Sequence, residues 1–454
     1  MKKYCFFIVL AIALFFTSCG DRNELLKYVP ADARVLAKVD VNSLKHKVEA
    51  EIVKHPELLS GIENNPAIEK LLAVGVDYDK DAYIFAFSED VEMGVVVSTQ
   101  DFLESIDEFK EEIVSIGDGI RALKERQFSM YHKDNVLMIL APYHPGDIDD
   151  VAKKYFKGES DRSGNPLVSK IDKVGDVVVA ADIDKLITSL PGEFRTDPYV
   201  ATAAGMLKGM FNTIAMSVNV EDNKLVVESE VDYSDDSKLK GYLEKVLIKP
   251  TCEIPSRIYA DEIVSMFSID GAELAKIQEL RDLLTMYKDI VGITMEQINS
   301  IYDFVVQIDG PIVFSANTID DIGFQLAIKC KEPKATIDNA LTANGLGLLL
   351  TPRENGYEVG DDFVIIYDKD YIYVSNKPDD KTSNGKMIAE IPFIKDNFGK
   401  SISLSYSELN FDSDTKEMSI YGSASDVEKS TMVIELKDSI IYMLLKNLAK
   451  ENNG

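Results

Sequence analysis

The chain alternates short apolar runs of strand length with polar turns and amphipathic segments of helical period, the pattern of a mixed α+β protein. Val35–Val39, Tyr83–Phe87, Met93–Ser98, Val136–Leu140 and Val177–Ala181 predict strands in the first half. Ile263–Ile269, Ile312–Ala316, Gly323–Lys329 and Phe363–Ser375 do so in the second. One local unit recurs: a strand, an aspartate, then a helix. Asp40 follows Val35–Val39, Asp182 follows Val177–Ala181, and Asp270 precedes Gly271–Leu274. An aspartate there can accept the first free amides of a helix, and Glu273 fits the third position of a capping box. These aspartates are expected to cap helices, not to react.

The larger order also repeats. Paired short strands precede a polar helix over Asp101–Val114 and again over Lys334–Leu341. Hairpins are expected at Phe128–Leu140, turning at His132–Asn135, and at Phe363–Ser375, turning at Asp368–Asp370. Strands at 214–220 and 225–231 precede a helix near Lys238–Leu247. Strands at 402–406 and 417–421 precede a closing helix near Glu435–Lys450. Leu274, Ile277, Leu280, Leu284 and Tyr287 place one apolar face on a helix over 273–287, expected to pack on the sheet. The pattern predicts two tandem, duplicated α+β domains, each a mostly antiparallel sheet covered by helices, on one face of the sheet. The expected boundaries are 28–248 and 255–454, with a proline-bearing linker at 249–254.

Residues 1–18 stand apart. Lys2 and Lys3 lead into an apolar run, Cys5–Phe16, which is too short to span a bilayer. Phe16-Thr17-Ser18-Cys19 closes it, with Phe16 in the place of the usual Leu of a lipobox. Cleavage before Cys19 would leave that thiol to carry lipid, such as palmitate, with 19–27 as a tether. The formal net charge of −28 becomes −30 without the two signal lysines, a balance that repels phosphate backbones and excludes nucleic acid as a partner. Cys252 and Cys330 are the cysteines left beside Cys19, and an exported compartment permits a bridge between them.

The lipobox, followed by Tyr28-Val29-Pro30-Ala31-Asp32-Ala33-Arg34-Val35, Asp40 and Leu44, resembles a group of uncharacterised Bacteroidetes lipoproteins that carry a domain of unknown function. The resemblance implies an outer-membrane lipoprotein, at the cell surface or the periplasmic face, with a duplicated α+β body. It carries no chemistry and no substrate.

The candidates for chemistry are sparse. His46, His55, His132 and His144 lack zinc-pair spacing, although His132 and His144 flank one strand. There is no G-x-S-x-G. Ser383-Asn384-Gly385-Lys386 matches S-x-x-K but lies in a polar loop, 377–386. Gly399-Lys400-Ser401 resembles the end of a P-loop but lacks the first glycine, at Ile394. Asp77, Asp79 and Asp81 alternate as in a calcium loop, but Ala82 and Ser88 occupy the glycine and carboxylate positions; Asp412 and Asp414 fail similarly, with Lys416 in the next slot. No catalytic residue, metal ligand or cofactor is therefore assigned; Cys19 is the one assigned site. The expectation is a lipid-anchored envelope protein with a non-enzymatic binding or scaffolding role, held to the membrane through Cys19 and open to a protein or glycan ligand. The alternative is a hydrolase with a carboxylate-based site between or within the domains.

Overall fold

The computed structural model of the chain describes residues 24–59, 75–77, 80–99, 113–125, 127–158, 165–189, 208–235, 237–260, 262–317, 323–343, 350–360, 363–376, 386–409 and 418–450. Its contacts form two units, Met1–Asp235 with Asp438–Gly454, and Asp236–Lys437. The fold is mixed α+β with antiparallel strand pairing in both.

In the first unit, β1 (Val35–Val39) leads into α1 (Val41–Lys54). β2 (Ala82–Ala86), β3 (Met93–Ser98), β4 (Val114–Gly117), β5 (Ile120–Lys124), β6 (Ser129–Lys133) and β7 (Val136–Ala141) follow. Then come α2 (Asp149–Lys157), α3 (Pro166–Ile171), β8 (Val177–Asp182), α4 (Ile183–Ser189), β9 (Phe211–Glu221) and β10 (Lys224–Tyr233). The strand order is β10-β9-β8-β1-β2-β3-β7-β6-β5-β4, every pair antiparallel.

All of β7 is buried, so its apolar run has a core on each side. On one face Met138 and Leu140 join Phe85, Tyr155 and Leu167; on the other Leu137 and Ile139 join Leu44 and Val48. Helices thus cover both faces of this sheet, where one covered face was expected. Strands buried on both sides need cover on both. The β6–β7 turn is Asp134–Asn135, both at positive φ (46° and 61°), the geometry a two-residue hairpin favours. Val114, expected to end a helix, opens strand β4, while 101–112 lie outside the described residues.

The predicted caps form. Asp40 Oδ1 accepts the Ser43 amide at 2.9 Å and Asp182 Oδ1 the Lys185 amide at 3.0 Å. Asp176, ahead of β8, is a buried charge of this unit. Its carboxylate accepts from Ser43 Oγ (2.6 Å), Lys47 Nζ (2.6 and 2.5 Å) and the Val220 amide (2.6 Å). It ties α1 to β9 through one side chain that is 2 % exposed.

The second unit begins with α5 (Lys238–Val246) and continues with β11 (Ile263–Asp270), α6 (Gly271–Leu274), α7 (Gln278–Val291) and α8 (Met295–Val305). β12 (Ile308–Asn317), β13 (Gly323–Cys330), α9 (Pro333–Ala343), β14 (Leu350–Arg353), β15 (Gly356–Val359), β16 (Phe363–Tyr367) and β17 (Tyr371–Ser375) follow. α10 (Pro392–Asn397), β18 (Ser403–Leu409), β19 (Met418–Ala424) and β20 (Lys429–Leu436) complete it. The order is β20-β19-β18-β11-β12-β13-β17-β16-β15-β14, again antiparallel throughout. One face carries Val264, Met266, Val313, Ile388, Ile394 and Leu404; the other carries Ile269, Ile328, Ile372 and Leu341.

Several boundaries differ from expectation. The segment 249–254, read as a linker, packs within the second unit: Ile248 donates to the Ser268 carbonyl, and Cys252 and Ile254 lie against the Val264–Leu404 core. Cys252 and Cys330 are free thiols. Cys330 belongs to the core on the other face, which explains why no bridge joins them. The helix expected over 273–287 is broken at Ala275–Ile277. Its longer part, α7, lies against α8, where Arg281 donates to Asn299 (2.7 Å) and its guanidinium stands 5.0 Å from the Tyr302 ring. Asp270 caps α6 through the Ala272 and Glu273 amides, while the Glu273 carboxylate pairs with Lys276. Glu435, expected in the closing helix, lies in β20. The helix itself, α11 (Ile440–Lys450), returns to the first unit, where Ile441 and Leu445 join the core of Leu44 and Val48.

Candidate functional site

One group of polar side chains in the second unit lies on strands β18, β19 and β20. Glu408 is directly opposite Ser419, and Ser419 is directly opposite Glu435. Direct partners on antiparallel strands share a face, so the three form one row. Tyr406 and Tyr421, themselves direct partners, stand two residues along on the same face. Tyr406 donates its hydroxyl to Glu408, and Tyr421 donates to Glu435 at 2.9 Å. The Phe393 ring of α10 lies 5.0 Å from the Tyr421 ring. Ser419 is 1 % exposed, and its hydroxyl has no hydrogen-bond partner.

Burial and the hydrogen bond to Glu435 push the Tyr421 phenol up to about 12, and burial and Glu408 raise Tyr406 as well. Both phenols stay protonated at neutral pH and act as donors. Beside Tyr406 is an apolar void of about 10 Å³ lined by Val264, Met266, Val313, Ile388, Ile394 and Phe398, among others. A void of that size and lining holds no substrate and stays dry. The row offers acceptors and an aromatic wall, a set suited to holding a cation.

The side chains singled out in the sequence are not brought together with this row. His46 pairs with Glu49 (3.4 Å). His55 lies between Glu51 (3.5 Å) and Glu57 (3.3 Å) with its ring 4.3 Å from Tyr442. His132 Nε2 meets Thr99 Oγ1 at 3.2 Å, while His144 is exposed. Asp77 accepts from Ser98 Oγ (3.2 Å) and Asp81 is buried. Asp79, Asp412, Asp414 and Ser383–Gly385 lie outside the described residues, as does Cys19; Ser401 is buried at the end of a short 3-10 turn. Among the described residues, no three His, Cys, Asp or Glu side chains converge as metal ligands, and no helix is long and apolar enough to cross a membrane. The sequence shows Tyr406-x-Glu408 and Ser419-x-Tyr421 as alternations, but the register that joins them across strands is not local.

Burial lowers the His132 pKa below 6.5, with help from Arg121 and against Asp134. The unfolded chain therefore takes up a proton near pH 6.5 that the folded chain refuses, so stability is present above pH 6.5 and is lost as pH falls through the folded value. A plot of urea midpoint against pH should decline in this window, and His132→Gln should flatten that decline. Parallel wild-type and variant curves would remove His132 as its source.

No family model and no curated protein matches the chain. Among solved structures, crystal form III of TP0453 is 11% identical, covers 47% of this chain and 81% of its own, and has a TM-score of 0.31. Crystal form I of TP0453 is 12% identical over 46% of this chain and 78% of its own, with a TM-score of 0.28. The DNA polymerase sliding clamp from Pseudomonas aeruginosa with ligand is 8% identical over 72% and 90%, with a TM-score of 0.07. TM-scores this low establish no shared fold.

Proposed function

We propose that the chain is a lipid-anchored envelope lipoprotein, akin to the uncharacterised Bacteroidetes group it resembles, and that two copies of one α+β domain give it a binding role. The observation that carries the domain reading is strand order. The sequence β10-β9-β8-β1-β2-β3-β7-β6-β5-β4 recurs in the second unit with every strand advanced by ten places. Asp40 and Asp270 cap the helix after the first strand of each. An order this long recurs readily by duplication and rarely by chance.

The anchor reading rests on Met1–Cys19 and on where the chain enters the fold. Glu24 pairs with Lys80 at 2.6 Å, and Leu25 and Leu26 are buried. Glu24 is five chain steps from Cys19, a reach of at most about 18 Å. A lipid there would hold the first unit close to the bilayer. The binding reading is supported by the second unit's sheet, where the Phe314 and Phe324 rings stack at 6.2 Å, Phe324 and Phe363 lie 6.0 Å apart, and Phe314 and Phe363 are 38 % and 39 % exposed. A strip of this kind marks a contact surface.

Cys19→Ala tests the anchor. The variant should leave the membrane fraction and lose incorporation of labelled palmitate. Retention with the membrane and unchanged label would overturn the lipoprotein reading.

A further inference from the structure

We propose that one face of the second unit's sheet is an interface for a second copy of this chain. The aromatic ridge on β11 and β12 of each copy sits in the serine and glycine trough on β18 and β19 of the other. The inference rests on the binding reading of the second unit, deepens it by naming the partner, and does not depend on lipidation.

Charge singles out the face. Leu326, Phe314, Ser265, Ser405, Gly422 and Met432 are successive direct partners across β13, β12, β11, β18, β19 and β20, so they share one side of the sheet. The rows two residues to either side, from Phe324 to Ile434 and from Ile328 to Ser430, lie on that side too. None of the three rows contains Asp, Glu, Lys, Arg or His, in a chain that is 28% charged. The charges along β13, β18 and β20, Lys329, Glu408, Lys429 and Glu435, all fall on the opposite side. The end at Ile312 and Ile328 is covered, in the core of Ile269 and Leu341. The remainder is open: Ile263, Phe267, Phe314 and Met432 are 39, 42, 38 and 40 % exposed. Copies of a chain with net charge −28 repel one another, so close approach needs a face without charge.

Relief makes the face complementary to itself. In the middle row Phe314 and Met432 stand at the sides, with Ser265, Ser405 and Gly422 between them. Gly422 keeps that floor low, since a Cβ there would come within 2.8 Å of Ser405 Oγ. Phe267 and Phe314 are therefore a ridge beside a trough. A two-fold axis normal to the sheet, between ridge and trough, exchanges the two. Sheets stacked face to face lie about 10 Å apart with their side chains interdigitated. The strands from β12 to β20, spaced about 4.8 Å apart, and rows about 6.8 Å apart give roughly 500 Å² per copy. A pair then buries roughly 1,000 Å², the size a specific interface needs. A small molecule on an open sheet face would be covered on one side only, whereas ligand sites enclose most of the molecule. An ion would meet no countercharge in the rows.

The test is sedimentation velocity on the chain from Gly20, over about 1 to about 100 μM, where an interface of this size is expected to give reversible dimers. Ser405→Glu puts a charge in the trough and Phe314→Lys puts one on the ridge. Each should raise the dimer dissociation constant about tenfold or more, because each buries a charge without a partner. Both positions are exposed, so both variants should keep the thermal unfolding of the wild type. An equimolar mixture of the two should dimerise more tightly than either alone, since ridge meets trough. Lys429→Glu, on the opposite side of the sheet, should leave association unchanged. Dimers that survive both Ser405→Glu and Phe314→Lys, a mixture no tighter than its components, or equal loss in Lys429→Glu would overturn the proposal. So would a monomer at every concentration. If that monomer floats with phosphatidylcholine vesicles, the face is a contact surface for lipid and only the second copy is removed; if it does not, the binding reading of this sheet falls as well. None of these outcomes alters the fractionation of Cys19→Ala.

Discussion

A chain ending at Lys437 is expected to lose about 5 kcal/mol of stability in its first unit while its second unit keeps its own. The loss follows from the return of α11. Ile441 and Leu445 are 7 % and 5 % exposed, and burying each contributes about 1.5–3 kcal/mol. Their removal also uncovers Leu44 and Val48, which are 1 % and 3 % exposed in the complete chain, and the exposed cavity wall adds to the cost. The His55–Tyr442 ring contact and the Ile440 amide bond to the Asp222 carbonyl go with them. Five kcal/mol is comparable to the whole stability of many domains. Hydrogen exchange read by mass spectrometry should show protection falling in α1 and β7 and holding in β11–β13. Unchanged protection across α1 would sink the assignment of α11 to the first unit. The same reasoning says that residues 20–248 are an incomplete domain and should not unfold cooperatively.

That helix shows what a sequence pattern contains and what it lacks. The period of Ile440–Lys450 marks a helix with an apolar face, yet nothing in that face names the core it enters. Central strands were legible because their runs are apolar on both faces, as in Val136–Ala141. The caps at Asp40, Asp182 and Asp270 were legible because a capping aspartate acts on amides two or three residues away. Some outer strands were not legible. β4 is almost wholly exposed, and β14 is exposed over Thr351–Arg353 and carries Pro352, so neither alternates with a buried face. β20 was hidden by the same exposure, which let Glu435 read as the start of a helix. The candidate site lies beyond pattern altogether. Glu408, Ser419 and Glu435 meet because of register between three strands, and register is set by the packing of whole strands.

The buried ion pair of the first unit is a sharper case of the same limit, and removing its carboxylate should be the most damaging single substitution in that unit. Nothing local distinguishes Asp176 from the other aspartates of the chain. In the fold, its one side chain accepts Ser43 Oγ, Lys47 Nζ and the Val220 amide, binding α1, the turn before β8, and β9. In the second unit the residue just before β18, Ile402, accepts the Ser268 N–H through its carbonyl, as Asp176, just before β8, accepts the Asp40 N–H here. The residue before β18 is apolar and buried, Ile402 at 6 % exposure, so a strand can start there without a charge. Two substitutions therefore separate. Asp176→Ala strands the Val220 amide, the Ser43 hydroxyl and the Lys47 ammonium, and breaking a buried pair from one side costs about 3–5 kcal/mol. Lys47 is 32 % exposed, so it can turn to water, which places the expected loss near the lower figure. Asp176→Ile with Lys47→Met and Ser43→Ala removes all three side-chain polar groups together, and should recover most of that loss, leaving the Val220 amide as the residual cost. Urea midpoints of the single and triple variants decide the matter. A triple variant as weak as Asp176→Ala would mean that the carboxylate acts chiefly by holding the β9 amide, and that α1 is fixed in place by its apolar face alone.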